Sequence, residues 1–152
     1  MLSLTADFSI DDEVLHQLPL ERLFTYERVD STNSEAMRLL RQGQACPFLV
    51  LASQQTHGRG RRGRRWESPP GAGLYYTLAL EVDRDTQNIA ALSLVTALSV
   101  CSALEKLGVN NLELKWPNDL LGEARKLSGI LLESLKVGDL SLIHISEPTR
   151  PN

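Results

Sequence analysis

An arginine-rich stretch interrupted by glycine, between residues 58 and 66, is the part of the sequence best suited to bind a charged ligand. Five of the seven residues from Arg59 to Arg65 are arginine, with Gly60 and Gly63 between them. Burying that many unpaired guanidinium groups would be prohibitively unfavourable, and glycine is disfavoured inside helices and strands. We therefore predict an exposed loop, mobile without ligand, that binds planar anions such as carboxylate or phosphate.

The charge of the remaining chain favours one local anion site over general binding to nucleic acid. The 152 residues carry a formal net charge of −3. Outside the arginine stretch, 11 Lys and Arg face 19 Asp and Glu. General nucleic-acid binders are more often basic overall, so this distribution predicts a single cationic site on an acidic body.

Composition and segment lengths predict one cytoplasmic domain. The chain has a length typical of one domain, contains no apolar run long enough to span a membrane, and begins without the basic segment of a signal peptide. Cys46 and Cys101 lack metal-binding spacing, so we interpret them as buried free thiols of a reducing compartment. The membrane is not an expected partner.

Apolar periodicity predicts the elements that position the arginine stretch. A helix should begin after Ser31–Asn33 and end at Gly43, and a second, largely apolar helix should cover residues 88–107 and lie buried on a sheet face. Strands are predicted at residues 24–29, 47–52, 74–82, 112–116, 126–133 and 142–145. The three polar residues before the first helix suit either an N-cap or a ligand-binding site.

In order along the chain, four motifs resemble the catalytic domain of biotin protein ligase, also called biotin–[acetyl-CoA-carboxylase] ligase. The resemblance runs from about Phe24 to Leu135. The motifs are Ser31-Thr32-Asn33, then Gln55 followed by Gly58–Arg64 and Trp66, then Lys115-Trp116-Pro117-Asn118-Asp119, and last Arg125–Leu131.

The resemblance implies an α/β fold of the α+β kind, with a mixed β-sheet, flanking helices and a relation to class II aminoacyl-tRNA synthetase cores. It also implies two reactions. Biotin and ATP, with Mg²⁺, would form biotinyl-5′-adenylate and pyrophosphate. A lysine of an acceptor such as the biotin carboxyl carrier protein would then take the biotinyl group and release AMP.

Residue roles follow from the same resemblance. Lys126, Arg61 and Lys115 would be catalytic. Two of these three, Arg61 and Lys126, would also hold biotin. The other biotin-binding residues would be Ser31, Thr32, Asn33, Gln55, Gly58, Arg59, Tyr75, Gly129 and Leu131. ATP would be bound by Arg61, Arg62, Arg64, Trp66, Lys115, Asn118 and Asp119. The resemblance assigns no metal ligands.

The resemblance also predicts the organisation of the chain. Residues 1–23 would form a leader segment, 24–140 an incomplete catalytic domain that lacks the family's glycine-rich turn and small β-barrel, and 141–152 an atypical tail that is a candidate for foreign sequence. No helix-turn-helix fits before residue 24, so DNA binding is not expected. A homodimer formed through a sheet edge is a candidate assembly.

Three alternatives stay open at this point. The chain could be a lipoate–protein ligase, which has a related fold and similar chemistry. It could instead be an arginine-glycine module that binds nucleic acid. It could also be a non-catalytic fragment that neither folds fully nor binds ligand.

Overall fold

A mixed six-stranded β-sheet forms the body of the protein in the computed structural model, which describes residues 17–82, 89–137 and 140–146. The strand order is β1-β2-β4-β9-β8, and β3 pairs with the far end of β2. Only β1 and β2 are parallel; the other pairs are antiparallel. The strands are β1 (Arg22–Val29), β2 (Phe48–Arg59), β3 (Arg65–Ser68), β4 (Tyr75–Val82), β8 (Leu131–Val137) and β9 (Leu140–Ser146).

Helix α1 (Thr32–Arg41) is the crossover that parallel pairing of β1 and β2 requires. The helix begins directly after Ser31, and Gly43, with a φ of +85°, follows its end. Its buried face, Ala36 and Leu40, packs on Phe48 and neighbouring side chains of the sheet. The predicted helix and its end before Gly43 are therefore confirmed, whereas its start lies two residues earlier than predicted, because Thr32 and Asn33 belong to the first turn.

A second, three-stranded antiparallel sheet carries the Lys115–Asp119 motif. It consists of β5 (Leu112–Lys115), β6 (Asp119–Gly122) and β7 (Arg125–Gly129). The prediction of one strand over residues 126–133 was wrong, because the chain leaves β7 for β8 at Ile130. Ile130 is buried, and its backbone N–H donates to the Asn118 carbonyl at 2.8 Å, which fixes the crossing point between the two sheets.

Helix α2 (Ile89–Lys106) lies at the predicted position, but the prediction that it is buried was wrong. Ala97 and Leu92 pack against Ile130, Leu114 and the large sheet, whereas Val95 on another face is 57% exposed. When apolar residues lie on all sides of a helix, the sequence does not indicate which side packs against the sheet. Neither helix in the described part of the chain is both long and apolar enough to cross a lipid bilayer.

The mixed sheet with flanking helices confirms the predicted fold class. Residues 140–146 continue the sheet as β9, so a strand is confirmed at residues 142–145. Residues 1–16 of the predicted leader and 147–152 of the predicted tail lie outside the described residues. The domain boundaries stay predictions. Cys46 and Cys101 are free thiols and are half-buried, which is less than we expected.

The packing of α1 on the sheet predicts a contrast between two leucine truncations. Leu40 is 2% exposed and Leu107 is 80% exposed. Leu40→Ala should lower the free energy of unfolding by about 2–5 kcal/mol, because it leaves a cavity under the helix. Leu107→Ala should change it by less than about 0.5 kcal/mol. Urea denaturation measures both, and equal losses would contradict the assigned core.

A hydrogen bond between β1 and α1 predicts a pH dependence of stability. The Tyr26 hydroxyl donates to Glu35 Oε1 at 2.9 Å. Burial, together with the hydrogen bond and negative charge of Glu35, raises the pKa of Tyr26 from 10 to about 12. The fold favours the neutral phenol, so this stability is complete below about pH 10 and is lost as the pH rises through about 12.

Tyr26→Phe removes this titration. The difference in unfolding free energy between the wild type and Tyr26→Phe should therefore shrink as the pH rises from about 10 to about 12. Denaturant unfolding of both proteins at several pH values measures this difference. The contributions of the other titrating groups are the same in both proteins and cancel. A difference that stays constant over this range would refute the role of Tyr26.

Candidate active site

The arginine stretch is a β-hairpin rather than the predicted loop. Strand β2 continues to Arg59, β3 begins at Arg65, and residues 61–63 form a single 3₁₀ turn between them. Gly58 pairs with Trp66 across the hairpin. The prediction failed because Gly58 is needed in the strand: a Cβ there would lie 2.5 Å from the Trp66 carbonyl oxygen. We call residues 58–66 the arginine hairpin.

A buried network of polar side chains lies beside the base of this hairpin. Gln55 Oε1 accepts from the Thr32 backbone N–H at 2.8 Å and lies 3.1 Å from the Thr32 hydroxyl. Gln55 Nε2 donates to Ser68 Oγ at 2.9 Å. The Thr77 hydroxyl lies 2.9 Å from that of Thr32 and 2.7 Å from Asn33 Oδ1. These contacts bring four separate elements, α1, β2, β3 and β4, to one point.

The network continues to the arginine hairpin through Glu133. Asn33 Nδ2 donates to Glu133 Oε2 at 3.1 Å, and Arg59 Nη2 pairs with the same oxygen at 2.6 Å. A cavity of about 400 Å³, lined by Gly58, Arg59, Leu131, Glu133 and other residues of the hairpin, opens at this contact. The neutral network and the cationic hairpin therefore form one continuous site.

A larger cavity of about 760 Å³ separates the arginine hairpin from the small sheet. All five arginines of the hairpin and Trp66 line one wall; the motif around Asn118 and the end of β7 line the other. Arg61 Nη1 donates to Asn118 Oδ1 at 3.0 Å, and Asn118 Nδ2 donates to the Ile130 carbonyl at 3.0 Å. The predicted residues in this cavity are Arg59, Arg61, Arg62, Arg64, Trp66, Asn118, Asp119, Lys126, Gly129 and Leu131.

Lys126 lies in this cavity between an acid, an aromatic ring and a glycine. Its Nζ is 2.6 Å from Asp119 Oδ1 and 4.9 Å from the centre of the Trp66 ring. A Cβ at Gly129 would lie 3.1 Å from Nζ and 3.2 Å from Trp66. The Trp66 Nε1 atom is buried and has no hydrogen-bond partner among the described residues, which leaves a donor available to a ligand.

Three predicted residues lie apart from these contacts. Lys115 is exposed and lines neither cavity, although it pairs in register with Asp119 across β5 and β6. Tyr75 is buried, and its hydroxyl donates to the Pro69 carbonyl at 3.1 Å. Burial raises the pKa of Tyr75. Ser31 is buried, and no side-chain hydrogen bond caps the helix.

Sequence analysis missed three residues of the site: Ser68, Thr77 and Glu133. Thr77 lay within the predicted strand over residues 74–82, and a hydroxyl among apolar residues on a buried face was the available signal. Glu133 was the last residue of a predicted strand. An acidic residue at the end of that strand was the available signal, but only the fold shows that its carboxylate meets Arg59.

The arrangement offers two kinds of recognition side by side. The buried network suits a small, neutral polar group, because its hydroxyls and amides both donate and accept hydrogen bonds. The large cavity suits anions, because guanidinium and ammonium groups converge on it. A ligand with a neutral polar head and a carboxylate, together with a polyphosphate, would fit both parts.

Comparison with known proteins identifies the group to which this site belongs. A family model described as the biotin/lipoate A/B protein ligase family matches residues 25–146. The bifunctional ligase/repressor BirA of Escherichia coli is 39% identical over 137 residues, covering 88% of this chain and 41% of that protein. The biotin–[acetyl-CoA-carboxylase] ligase of Paracoccus denitrificans is 45% identical over 109 residues, covering 70% and 45%.

A solved structure gives the same result at the level of the fold. The biotin protein ligase of Aquifex aeolicus, in complex with biotin and ATP, superposes with a TM-score of 0.68 at 35% identity. The match covers 83% of this chain and 51% of that one. The chain thus spans about two fifths of the length of the curated relatives it matches.

The packing around Lys126 predicts that Gly129→Ala displaces this lysine from Trp66. The new Cβ would be too close to the lysine terminus and the ring, and the flexible lysine yields most easily. In a Trp116→Phe background, where Trp66 is the only tryptophan, acrylamide should quench the fluorescence of Trp66 more strongly after the substitution.

Gly122→Ala is the matched control, because its Cβ would meet only ordinary contacts at 3.6 Å and beyond. This variant should keep the quenching of the parent. Identical quenching in the Gly129→Ala and parent proteins would contradict the assigned packing of Lys126.

Proposed function

The chain belongs to the biotin/lipoate A/B protein ligase family, and we propose that it activates biotin with MgATP and transfers the biotinyl group to a lysine of a carrier protein. Relatives named biotin–[acetyl-CoA-carboxylase] ligase support biotin as the acid. The observation that carries the proposal is the continuity of the buried polar network with the cationic cavity through Arg59 and Glu133.

In the proposed first step, an oxygen of the biotin carboxylate attacks the α-phosphorus of ATP. A C–O–P linkage forms, the bond from the α-phosphorus to the bridging oxygen breaks, and pyrophosphate leaves with the electron pair. Two anions must approach each other, so the reaction needs cations at the point of attack. We assign this role to Lys126 and Arg61, with Arg62 and Arg64 on the phosphates.

We assign the remaining roles from the resemblance of the motifs to the family. We assign biotin's polar ring to Ser31, Thr32 and Gln55, with Asn33 behind them and Gly58 and Arg59 closing the site. Tyr75, Gly129 and Leu131 would shape the channel of the acyl chain. On the nucleotide side, Trp66 offers its unpartnered indole N–H, Asn118 and Asp119 offer oxygens, and Lys115 would reach the phosphates from β5.

The donors in the large cavity fit a magnesium ion. Asp119 and Asn118 offer the carboxylate and amide oxygens that Mg²⁺ accepts. No cluster of three or more His, Cys, Asp or Glu suited to a metal occurs in the described ranges, so the ion would share its coordination with phosphates and water. When bound, it would neutralise charge on the triphosphate.

In the proposed second step, the amine of the carrier's lysine attacks the acyl carbon of the adenylate. An amide bond forms, the bond from this carbon to the phosphate oxygen breaks, AMP leaves and the amine releases a proton to solvent. The biotin carboxyl carrier protein is the acceptor we propose. We also propose a cytoplasmic location and a homodimer.

The proposal predicts that Lys126→Ala abolishes biotin-dependent exchange of pyrophosphate into ATP. Loss of a cation at the reacting phosphate should lower the exchange rate about a hundredfold or more. Lys106→Ala, an exposed lysine at the end of α2, is the control and should leave the rate unchanged.

The same assay tests the alternative acid, because lipoate can replace biotin in it. Exchange that depends on lipoate and not on biotin would refute the choice of acid. Full activity of Lys126→Ala would instead refute the role of this lysine.

A further inference from the structure

Lys126, the lysine that we assign to the reacting phosphate, is held by an acid on the neighbouring strand. Its Nζ lies 2.6 Å from Oδ1 of Asp119, and β6 and β7 pair side by side. We propose that Asp119 couples the metal ion to this lysine: Lys126 is released to the phosphate when Asp119 binds the magnesium ion. The inference rests on the proposed function, which brings ATP and its metal ion to this cavity.

The contact between the two side chains is an ion contact without a directed hydrogen bond. Asp119 Oδ1 is buried and accepts no hydrogen bond from a described residue, although the ammonium group is close. Both side chains are partly exposed, at 24% for Asp119 and 36% for Lys126. Charge pairs of this kind contribute little net free energy, so a stronger cation can take the carboxylate from the lysine.

Asp119 is also the side chain most available to a magnesium ion. Two carboxylates line the large cavity, and the other one, Glu67, is exposed on β3. The amide of Asn118 is already bonded at both ends, to Arg61 and to the Ile130 carbonyl. Because carboxylate oxygens are preferred ligands of Mg²⁺, an ion that enters with the triphosphate finds its best protein ligand in Asp119.

The same carboxylate oxygen cannot serve both cations without repulsion between them. A metal–oxygen distance of about 2.1 Å, added to the 2.6 Å contact of Lys126, would leave the two cations within about 5 Å of each other. Like charges at that separation repel strongly in a partly buried cavity. Lys126 must therefore leave Asp119 when this oxygen binds the metal.

Trp66 provides a second position for the released ammonium group. Lys126 Nζ already lies 4.9 Å from the centre of the Trp66 ring, a distance at which aromatic rings attract cations. The five arginines of the hairpin line the same wall as Trp66, so phosphate oxygens that bind them lie opposite Asp119. A lysine that leaves Asp119 therefore stays in the cavity and faces the nucleotide.

The coupling makes the action of Lys126 depend on the complete magnesium–nucleotide complex. Without the metal, Asp119 competes with the phosphate for the lysine. With the metal, this competitor is removed when the triphosphate arrives. Asp119 is thus a positioning residue, because it acts on the reacting phosphate through Lys126.

Calorimetric titration of the 152-residue chain with ATP tests the coupling, once with excess Mg²⁺ and once with EDTA. Biotin is left out, so no reaction consumes the nucleotide. The measured quantity is the loss of affinity caused by Lys126→Met, which removes the charge and keeps an unbranched stem beside Trp66. We expect a loss of about tenfold or more with Mg²⁺ and of about twofold with EDTA.

The sign of this difference separates coupling from simple electrostatics. Mg²⁺ neutralises about half of the charge of the triphosphate, so a lost positive charge should matter less with the metal than without it. Coupling predicts the reverse order. A loss of affinity that is equal in the two titrations, or larger with EDTA, overturns the inference.

Asp119→Asn should release Lys126 without any metal. In this background, Lys126→Met should lower the affinity for ATP in EDTA about tenfold. Glu67→Gln is the matched control, because it removes the other carboxylate of the cavity and leaves the pair of Lys126 and Asp119 intact. In the Glu67→Gln background, Lys126→Met should lower this affinity only about twofold.

Equal results in the Asp119→Asn and Glu67→Gln backgrounds would show an effect of charge alone and overturn the inference. A thermal melt of each variant confirms that it folds, and Asp119→Ala, which also removes the carboxylate, replaces Asp119→Asn if that variant does not. If the wild type does not bind MgATP, the proposed function fails and the inference falls with it. If the wild type binds MgATP and Lys126→Met has the same effect with and without the metal, only the inference fails.

Discussion

The structure depends on how a dense group of cations is held near one point. Three cations of the candidate site have a partner from another element: Arg59 pairs with Glu133, Lys126 with Asp119, and Arg61 with Asn118. These partners come from β8, β6 and the turn before β6. The Arg61–Asn118 hydrogen bond joins the arginine hairpin to the small sheet, so this contact depends on the two sheets meeting there.

The same contacts prepare the site for ligands. The two ion pairs are partly exposed, and pairs of this kind contribute little net free energy. Incoming phosphate or carboxylate oxygens can therefore replace Glu133 and Asp119 at small cost. The cations are held in place before the ligand arrives, which limits the entropy lost when it binds.

The part of the fold that the sequence could predict is the part governed by local rules. The polar residues 30–33 mark the start of α1, Gly43 with its left-handed φ follows its end, and the alternation from Tyr75 to Val82 marks β4. Family motifs identified most residues of the large cavity. These features depend on residues close together in the chain.

The remainder depends on contacts between distant residues. In the sequence, Gly58 is typical of a loop, and only its pairing with Trp66 shows that it lies in a strand. No local feature of Ile130 indicates that the chain passes from the small sheet to the large sheet there. Burial of α2 could not be predicted, because its apolar residues surround the helix while only one side packs. Thr77 and Glu133 can be assigned to the site only because both contact Asn33, which lies on another element.

The central claim is that this chain folds a site for biotin and ATP, and a thermal melt with and without biotin plus MgATP tests it most directly. A ligand that binds only the native state stabilises it. We predict a cooperative transition whose midpoint rises by about 5–10 °C at ligand concentrations about a hundredfold above Kd. A cooperative transition that does not move, or the absence of any cooperative transition, would contradict the claim.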